Sequence, residues 1–220
     1  MSRSMPLWSS APAPGDTFAI ERSLWQGGYA TVAGADEAGR GPLAGPVVAA
    51  CVVLPRDCDY GRFRDSKQLS HAAREELAGV LVGLDAQIGV GVVDAAEIDR
   101  INILQASLLA MRLAVEQLPH APDFLLVDGK FTVPMPIPQR ALIKGESRSA
   151  SIAAASIVAK VRRDAIMDHY HDQFPQYNFQ QHKGYPTAEH RRIIREIGPC
   201  SIHRLSFKPV RECLQTGGAG

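Results

Sequence analysis

The apolar positions along the chain predict five short strands. Apolar runs occupy residues 31–35, 46–54, 88–93 and 124–127, and a shorter run lies near residues 141–143. Runs of this length, rich in β-branched residues and bounded by Gly, Pro and Asp, are typical of strands buried in a sheet. Only a tight turn separates the first two runs, and it is too short for a crossover connection. We therefore expect these two strands to pair antiparallel.

Helical patterns alternate with these runs. Ser70 can cap a helix over residues 71–84, and regularly spaced apolar positions predict a helix over residues 101–118. Further helices are expected over residues 151–174 and 187–197. Strands that alternate with helices predict an α/β fold with both faces of the sheet covered. The prediction is a mixed five-stranded sheet flanked by helices, with a C-terminal helical part.

The chain length of 220 residues suits one large domain. Residues 1–18 are rich in Pro, Ser and Ala, a composition typical of disorder, and residues 214–220 (LQTGGAG) contain little that could pack in a core. We predict a disordered lead-in over residues 1–18, a folded domain over residues 19–213 and a flexible tail over residues 214–220.

Composition narrows the class of protein. With 45% apolar and 21% charged residues, the chain resembles an ordinary globular protein. No apolar run approaches the roughly 18 residues of a membrane span. The N-terminus lacks a basic start followed by an apolar stretch, and the four cysteines form no C-x-x-C pair. We expect a cytoplasmic monomer that does not associate with membranes and has reduced cysteines.

The net charge of +1 is unevenly distributed. Residues 1–139 carry 11 Lys and Arg against 16 Asp and Glu, whereas residues 140–211 carry 13 against 6, together with five histidines. A basic C-terminal third is suited to a phosphate backbone, although a solvated helical surface explains the same charges equally well. Charge alone therefore leaves nucleic-acid binding open.

The segment GADEAGRGPLAGP carries the first candidate chemistry. Asp36 and Glu37 are adjacent carboxylates at the end of a predicted buried strand. Neighbouring side chains in a regular strand point to opposite faces, so both can serve one site only where the chain turns. Gly39 and Gly41 supply such a turn and let backbone N–H groups approach a ligand closely. Arg40 stands between them and is suited to a phosphate.

A second strand also ends on a carboxylate, Asp128. Oxygen ligands of this kind are the ones that Mg²⁺ and Mn²⁺ prefer, and two such ions held close together are a known device for phosphodiester cleavage. Glu146, in the turn before the long helix, is a candidate fourth carboxylate. It is alternatively a helix-start acid favoured by the helix dipole.

Two further segments offer candidate substrate contacts. In DSKQLS, Lys67 precedes a helix N-terminus, where a phosphate can bind. In HKGY, Lys183 and Tyr185 flank a glycine, and the tyrosine ring can stack on a sugar or base or pack in the core. On the long helix, Lys160, Arg162 and Arg163 are interpreted as solvated.

Six motifs in one order give the chain a resemblance to bacterial ribonuclease HII. They are DEAGRGP, DSKQLS, LLVDG, AAASIVAKVRRD, HKGYPT and HRLSF, and they extend over roughly residues 30–210. The resemblance implies a ribonuclease H-like fold and three metal-binding catalytic carboxylates: Asp36, Glu37 and Asp128. It further implies a motif that reads the ribose 2′-hydroxyl, formed by Gly39, Arg40 and Gly41. Tyr185 corresponds to a tyrosine that packs against the neighbouring sugar at an RNA–DNA junction.

The implied activity is that of an endonuclease acting in ribonucleotide excision repair. It would hydrolyse the RNA strand of RNA–DNA hybrids and cut 5′ of single ribonucleotides in duplex DNA, with Mn²⁺ or Mg²⁺ as cofactor, leaving 3′-OH and 5′-phosphate ends. One position departs from the family, in which the turn usually carries Asp where this chain has Glu146. Two rival functions are a ribonuclease H-fold metal nuclease acting on DNA, and a nucleic-acid-binding module without catalysis.

Overall fold

The computed structural model describes residues 15–63 and 69–216, and its central feature is a five-stranded sheet. The strands are β1 (Val32–Ala38), β2 (Val47–Val53), β3 (Gln87–Val93), β4 (Phe124–Asp128) and β5 (Gln139–Leu142). Their order across the sheet is β3-β2-β1-β4-β5. The pairs β1–β2 and β2–β3 are antiparallel, and β1–β4 and β4–β5 are parallel. The predicted mixed five-stranded sheet and its antiparallel first pair are confirmed.

Eight α-helices accompany the sheet in the described part of the chain. They are α1 (Ala19–Gln26), α2 (His71–Gly83), α3 (Ala95–Ile101), α4 (Ile103–Glu116), α5 (Ala150–Gln173), α6 (Phe179–His182), α7 (Ala188–Ile197) and α8 (Lys208–Thr216). A 3-10 helix at Gly145–Ser147 precedes α5. The predicted cap of α2 is present, because the Ser70 side chain accepts a hydrogen bond from the backbone N–H of Ala73.

The two faces of the sheet are covered by different helices. Helix α4 packs on one face, against β1, β2 and β3, and α5 packs on the other, against β1 and β2, with α2 outside it. Helix α5 is buried along Ala150–Ala159, where small residues let its backbone approach β1. A Cβ on Gly34 would lie 2.2 Å from the Ser151 carbonyl carbon, so this approach requires glycine. The central position of α5 brings its polar residues to the ends of the strands.

The helix predicted over residues 101–118 is present as α4, with bounds that differ by two residues at each end. Helix α3, directly before it, was not predicted, and the two helices are separated by Asn102, whose φ of 68° lies in the left-handed region. The Asn102 side chain accepts hydrogen bonds from the N–H groups of Leu104 and Gln105, and therefore caps α4. Asn tolerates this conformation better than most residues, which is why the chain bends there while the apolar periodicity continues.

The chain ends differ from the predicted boundaries. Phe18, the last residue of the predicted lead-in, is buried in the core, and α1, which was not predicted, follows it directly. Residues 1–14 lie outside the described residues. At the other end α8 continues to Thr216, so the predicted tail begins inside a helix. Helices α6 and α8 were not predicted either, since each is short.

Helix α1 supplies a buried carboxylate to the start of α5. Glu21 accepts hydrogen bonds from the Ser149 hydroxyl at 2.6 Å and from the Ser151 N–H at 3.1 Å. An acid at this position is favoured by the helix dipole. Burial nevertheless raises the pKa of Glu21. The acid at the start of α5 is therefore contributed by a residue far away in sequence.

Within residues 15–63 and 69–216, no helix combines the length and the apolar character that crossing a bilayer requires.

Candidate active site

The parallel pair β1–β4 brings two carboxylates together. The strands are in register from Val32 opposite Phe124 to Ala35 opposite Val127. Continuing that register places Asp36 beside Asp128, with both side chains at the same end of the sheet. Both residues line one cleft, which also contains Glu37. The structure thus brings together the three carboxylates that the sequence indicated.

Asp36 is the most buried of these three acids, with 5% of its surface exposed. Its Oδ1 accepts the backbone N–H of Glu37 at 2.7 Å. Burial raises the pKa of Asp36 well above its usual range, and repulsion from Glu37 and Asp128 raises it further. Hydrogen bonds to this carboxylate oppose the shift without cancelling it. A charged Asp36 is therefore costly unless a cation lies nearby.

Glu37 has one positively charged neighbour. The Arg40 Nη1 lies 3.2 Å from Glu37 Oε1, and half of the Arg40 side chain is exposed. Burial raises the pKa of Glu37, the Arg40 charge opposes this shift, and Asp128 adds to it. This exposed ion pair offers only partial compensation, because solvent screens it.

Asp128 and Glu146 are linked to Asp36 through neighbouring groups. The Asp128 Oδ1 accepts the Gly145 N–H at 2.6 Å, which holds the turn containing Glu146 against the end of β4. Glu146 is 7% exposed, and its Oε2 lies 3.2 Å from the Ser156 hydroxyl oxygen. The same hydroxyl hydrogen-bonds to Asp36. A serine has one hydroxyl proton, so the two carboxylates compete for it.

The donor atoms suit a hard divalent cation. Carboxylate and hydroxyl oxygens meet at one end of the sheet, where negative charge is concentrated and only partly compensated. Among residues 15–63 and 69–216, no group of three or more His, Cys, Asp or Glu side chains has the geometry to hold a metal ion by itself. Mg²⁺ is usually held by one or two carboxylates together with substrate phosphates rather than by a protein cage. The open arrangement fits ions that are completed by the substrate.

The turn formed by Gly39, Arg40 and Gly41, which we call the GRG turn, contains two glycines with different structural roles. Gly39 has a φ of +100°, and a Cβ there would lie 2.2 Å from the Arg163 Nε. Gly39 is therefore required by the protein itself. Gly41 has no such constraint: the nearest heavy atom to a Cβ would be the Tyr185 Cε1, at 3.9 Å. The free space beside Gly41 opens into the cleft, so glycine there suits close approach of a ligand.

Tyr185 forms the opposite wall of this part of the cleft. It is 40% exposed, and cations approach its ring from α5, with the Lys160 Nζ 5.7 Å and the Arg163 guanidinium 5.8 Å from the centroid. A core position for this tyrosine, the alternative that the sequence left open, does not occur. The exposed part of the ring is available for stacking.

Buried histidines support the backbone that carries Tyr185. The His190 Nδ1 lies 2.9 Å from the Tyr185 carbonyl oxygen, the His190 Nε2 lies 3.0 Å from the His203 Nε2, and the Cys200 N–H donates to the His203 Nδ1 at 3.0 Å. A carbonyl can only accept, so His190 donates through Nδ1. His203 then donates to His190 through Nε2, and both rings are neutral.

Burial, together with the proximity of His182, lowers the pKa of His190 to about 4. Burial likewise lowers the pKa of His203 to about 4, with a contribution from the neighbouring His190. Protonation of His190 would place two N–H groups against each other at its contact with His203, and protonation of His203 would place its Nδ1–H against the Cys200 N–H, each at 3.0 Å. The histidine chain is therefore a neutral structural support at ordinary pH.

The other predicted site residues have mixed outcomes. Glu146 contacts Ser156, which lines the cleft, and the ammonium of Lys183 pairs with Asp168. Lys67 lies outside the described residues. Arg163, interpreted from the sequence as solvated, is fully buried, because α5 passes beneath the GRG turn.

Three residues of the cleft were missed: Arg74, Ser156 and Lys160. Ser156 and Lys160 are four residues apart on α5 and therefore share a face. A polar pair at this spacing in the largely apolar first half of the helix was the available sequence signal. Arg74 lies on α2, and nothing in its local sequence distinguishes it from an exposed arginine.

Solved structures establish the class of fold. The ribonuclease H2 of Pyrococcus horikoshii superposes with a TM-score of 0.71 at 26% identity, covering 86% of this chain and 100% of that one. Bst ribonuclease HIII in complex with Mn²⁺ superposes with a TM-score of 0.65 at 23% identity, covering 84% and 70% of the two chains. The fold is therefore ribonuclease H-like, as predicted.

Sequence comparison then gives the family. The family model for ribonuclease HII matches residues 33–210. Ribonuclease HII of Desulfotalea psychrophila is 56% identical over 98% of each chain, and that of Geobacter metallireducens is 55% identical over 87% of this chain and 93% of the relative. The chain belongs to the ribonuclease HII family. It is a ribonuclease H, an endonuclease of RNA–DNA hybrids, and its family depends on divalent metal ions.

Proposed function

We propose that this enzyme also cuts duplex DNA 5′ of single embedded ribonucleotides, leaving a 3′-OH and a 5′-phosphate, with two metal ions. The observation that carries this proposal is the shared cleft, in which the carboxylates and the GRG turn lie side by side. A site that combines hydrolysis with recognition of one ribose needs no continuous RNA strand. Such an activity would begin ribonucleotide excision repair.

The carboxylate part of the cleft would hold the metal ions. Asp36 lies between Glu37 and Asp128 and is repelled by both, so it is the natural residue to contact two cations. When bound, Mg²⁺ or Mn²⁺ ions would activate water and stabilise the leaving oxygen. The protein side chains would orient the scissile phosphate, with Arg40 and Lys160 compensating its charge.

Glu146 is proposed as a further carboxylate of this site. The alternative, a helix-start acid, is disfavoured because Ser149 caps α5 and Glu21 accepts the N–H of Ser151 in its first turn. Glu146 instead contacts the Ser156 hydroxyl, which also reaches Asp36. The extra methylene relative to Asp is compatible with this indirect approach.

The recognition part of the cleft would select ribose. Backbone groups of Gly39–Gly41 lie where a sugar can approach closely, and the Tyr185 ring offers a stacking surface 3.9 Å from a Cβ position on Gly41. The 2′-OH distinguishes RNA from DNA. A site built to hydrogen-bond a hydroxyl can reject the analogue that lacks it by about 10⁴-fold.

Cleavage of three labelled substrates tests the proposal: a DNA duplex with one ribonucleotide, an RNA–DNA hybrid and an all-DNA duplex, each with Mg²⁺, Mn²⁺ or EDTA. We expect metal-dependent cleavage of the first two and a single cut 5′ of the embedded ribonucleotide. Cleavage of the hybrid alone would overturn the single-ribonucleotide activity. Cutting of the all-DNA duplex would favour a DNA nuclease, and binding in EDTA without cleavage in either metal would favour a binding module.

A further inference from the structure

Arg204 lies beneath the GRG turn, and its guanidinium binds backbone carbonyls of the loop that contains this turn. Its guanidinium donates to the carbonyl oxygens of Gly39 at 2.6 Å, Arg40 at 3.1 Å and Gly45 at 3.0 Å. Arg204 is fully buried although it is charged. A buried guanidinium is expensive unless its donors are satisfied, and here three carbonyls on one loop satisfy them.

Arg163 binds the flanks of the same loop. It donates to the carbonyl oxygens of Pro46 at 3.1 Å and Ala44 at 3.2 Å, and to that of Lys183 at 3.0 Å. Lys183 belongs to the segment that leads to Tyr185. The two arginines therefore connect both walls of the recognition part of the cleft, and we call Arg163 and Arg204 the carbonyl clamp.

The carbonyl clamp determines where the turn's N–H groups point. In a trans peptide the C=O and the following N–H point in opposite directions. Because Arg204 draws the carbonyls of Gly39 and Arg40 inward, the N–H groups of Arg40 and Gly41 face away from it. Neither of these N–H groups donates a hydrogen bond to another group of the described ranges, 15–63 and 69–216. Both residues line the cleft.

The segment that carries Arg204 is itself anchored from a distance. Asp99 accepts the N–H groups of Leu205 at 2.7 Å and Ser206 at 3.0 Å, together with the Ser206 hydroxyl at 2.5 Å. The Phe207 ring lies 5.0 Å from the Arg204 guanidinium. The motif HRLSF thus places Arg204 under the turn, a role that its sequence did not reveal.

We propose that Arg204, assisted by Arg163, is a positioning residue for ribose recognition, which holds the Arg40 and Gly41 N–H groups towards the substrate. This inference rests on the proposed single-ribonucleotide activity. The positive charge of Arg204 beneath the carbonyls also favours the binding of an electron-rich oxygen by the N–H groups on the outer side of the loop. Lysine cannot substitute fully, because it lacks the planar fork that reaches three carbonyls at once.

The test compares Arg204→Lys with the wild-type enzyme on the single-ribonucleotide duplex, with an all-DNA duplex as competitive inhibitor. We expect KM for the ribonucleotide substrate to rise about tenfold, the effect of losing one good hydrogen bond, while the inhibition constant of the all-DNA duplex stays unchanged. A merely structural role would lower the active fraction, and so the apparent kcat, without changing either constant.

Arg112→Lys is the matched control, since Arg112 is half exposed on α4, across the sheet from α5. The control variant should change neither the KM for the single-ribonucleotide duplex nor the inhibition constant of the all-DNA duplex. Asp99→Ala is the second variant, needed if Arg204→Lys does not fold: it keeps Arg204 but removes the anchor of its segment, and should raise KM selectively by a smaller factor.

An unchanged KM in a folded Arg204→Lys enzyme, or equal weakening of both duplexes, would overturn the inference. If Arg204→Lys does not fold, an Asp99→Ala enzyme with wild-type constants would overturn it. The outcome is separable from the proposed function: a wild-type enzyme without any preference for the ribonucleotide duplex would contradict that function, whatever the variants do.

Discussion

The carboxylate half and the recognition half of the cleft differ in how their charged and polar groups are compensated. The carboxylate half gathers acids at the ends of β1 and β4, where burial and mutual repulsion raise the pKa values of Asp36 and Glu37. In the recognition half, the carbonyls of the GRG turn are bonded by Arg204, and the Tyr185 carbonyl is bonded by His190. One half has negative charges that are only partly compensated, whereas the other has its backbone acceptors satisfied.

Because of this difference, the two halves of the cleft contribute differently to activity and to stability. The carboxylate half is unfavourable by itself and becomes favourable when cations enter, so it costs stability in their absence. The recognition half must present fixed N–H groups and a fixed ring, and its buried cations and neutral histidines contribute to that rigidity. We therefore expect variants of the first half to lose activity without losing stability, and variants of the residues that hold the second half in place, such as Gly39, to show both effects.

The largest effect is expected from Asp36→Asn. The amide keeps the size of the side chain and can still accept the Glu37 N–H, but it removes the charge that a hard cation requires. Cleavage should fall at least about 100-fold. The melting temperature measured in EDTA should rise, because one of three mutually repelling carboxylates becomes neutral.

Asp123→Asn is the control for this variant, since Asp123 lies at the opposite end of the same strands and binds the N–H groups of Ala30 and Thr31. It should leave turnover unchanged. Wild-type turnover in Asp36→Asn would contradict the role of Asp36 in cleavage. A lower melting temperature in EDTA would contradict the expectation that the carboxylates destabilise the protein when no cation is bound.

Glu146→Gln should also lower turnover strongly, by up to about 100-fold if the residue helps to place a metal ion. Its melting temperature should change little, because the acid at the start of α5 is Glu21. Glu146→Asp should retain or raise activity, since Asp is usual in the family. Turnover is best measured at limiting Mg²⁺, where an unchanged Glu146→Gln enzyme would remove this residue from the carboxylate half.

Tyr185→Ala should lower kcat/KM on the single-ribonucleotide duplex about 10- to 100-fold, the value of one lost stacking contact. Tyr185→Phe should be much less affected, because stacking needs the ring more than the hydroxyl. Equal losses in both variants would indicate that the hydroxyl carries the effect. Wild-type cleavage by Tyr185→Ala would show that the exposed ring is not used.

The two glycines allow a direct comparison within the recognition half. Gly39→Ala should lower the free energy of unfolding by more than about 1–2 kcal/mol, because a positive φ and contact with Arg163 both oppose a Cβ. For Gly41→Ala, the free energy of unfolding should lie within about 0.5 kcal/mol of the wild-type value. The variant should nevertheless cleave poorly, because the added Cβ would contact only the ligand. Urea unfolding and single-ribonucleotide cleavage check both. Normal cleavage by Gly41→Ala would argue against close approach of the sugar.

The last expected effect is that of acid on stability. The pKa values of His190 and His203 are lowered from 6.5 to about 4, so the unfolded chain binds protons first as the pH falls. Between pH 6.5 and about 4, each histidine should lower the free energy of unfolding by up to about 1.4 kcal/mol per pH unit. Urea unfolding across this range checks the slope. His203→Gln should reduce it, and replacement of the exposed His169 should not.

Much of the fold was predictable because its determinants are local. The strands are short apolar runs, and the start of α2 is a serine that caps the next turn. Helix α3 was missed because it is short and ends at Asn102, directly before the longer α4. Helix α1 was missed because its sequence directly follows a segment of disordered composition, and its core contacts are with distant elements.

The sequence by itself determined the carboxylates at the strand ends and the glycine turn beside them, because each follows from residue type and strand direction. It left open whether Tyr185 is exposed or packs in the core, and the tertiary structure exposes it. Only the tertiary structure decided which charges serve the substrate and which serve the fold. Arg163 and Arg204 look like surface cations in the sequence but are buried beneath the GRG turn, and Lys183 is held by Asp168. The reason is physical: the free energy of a charged side chain depends on its burial and partners, and those partners are distant in sequence.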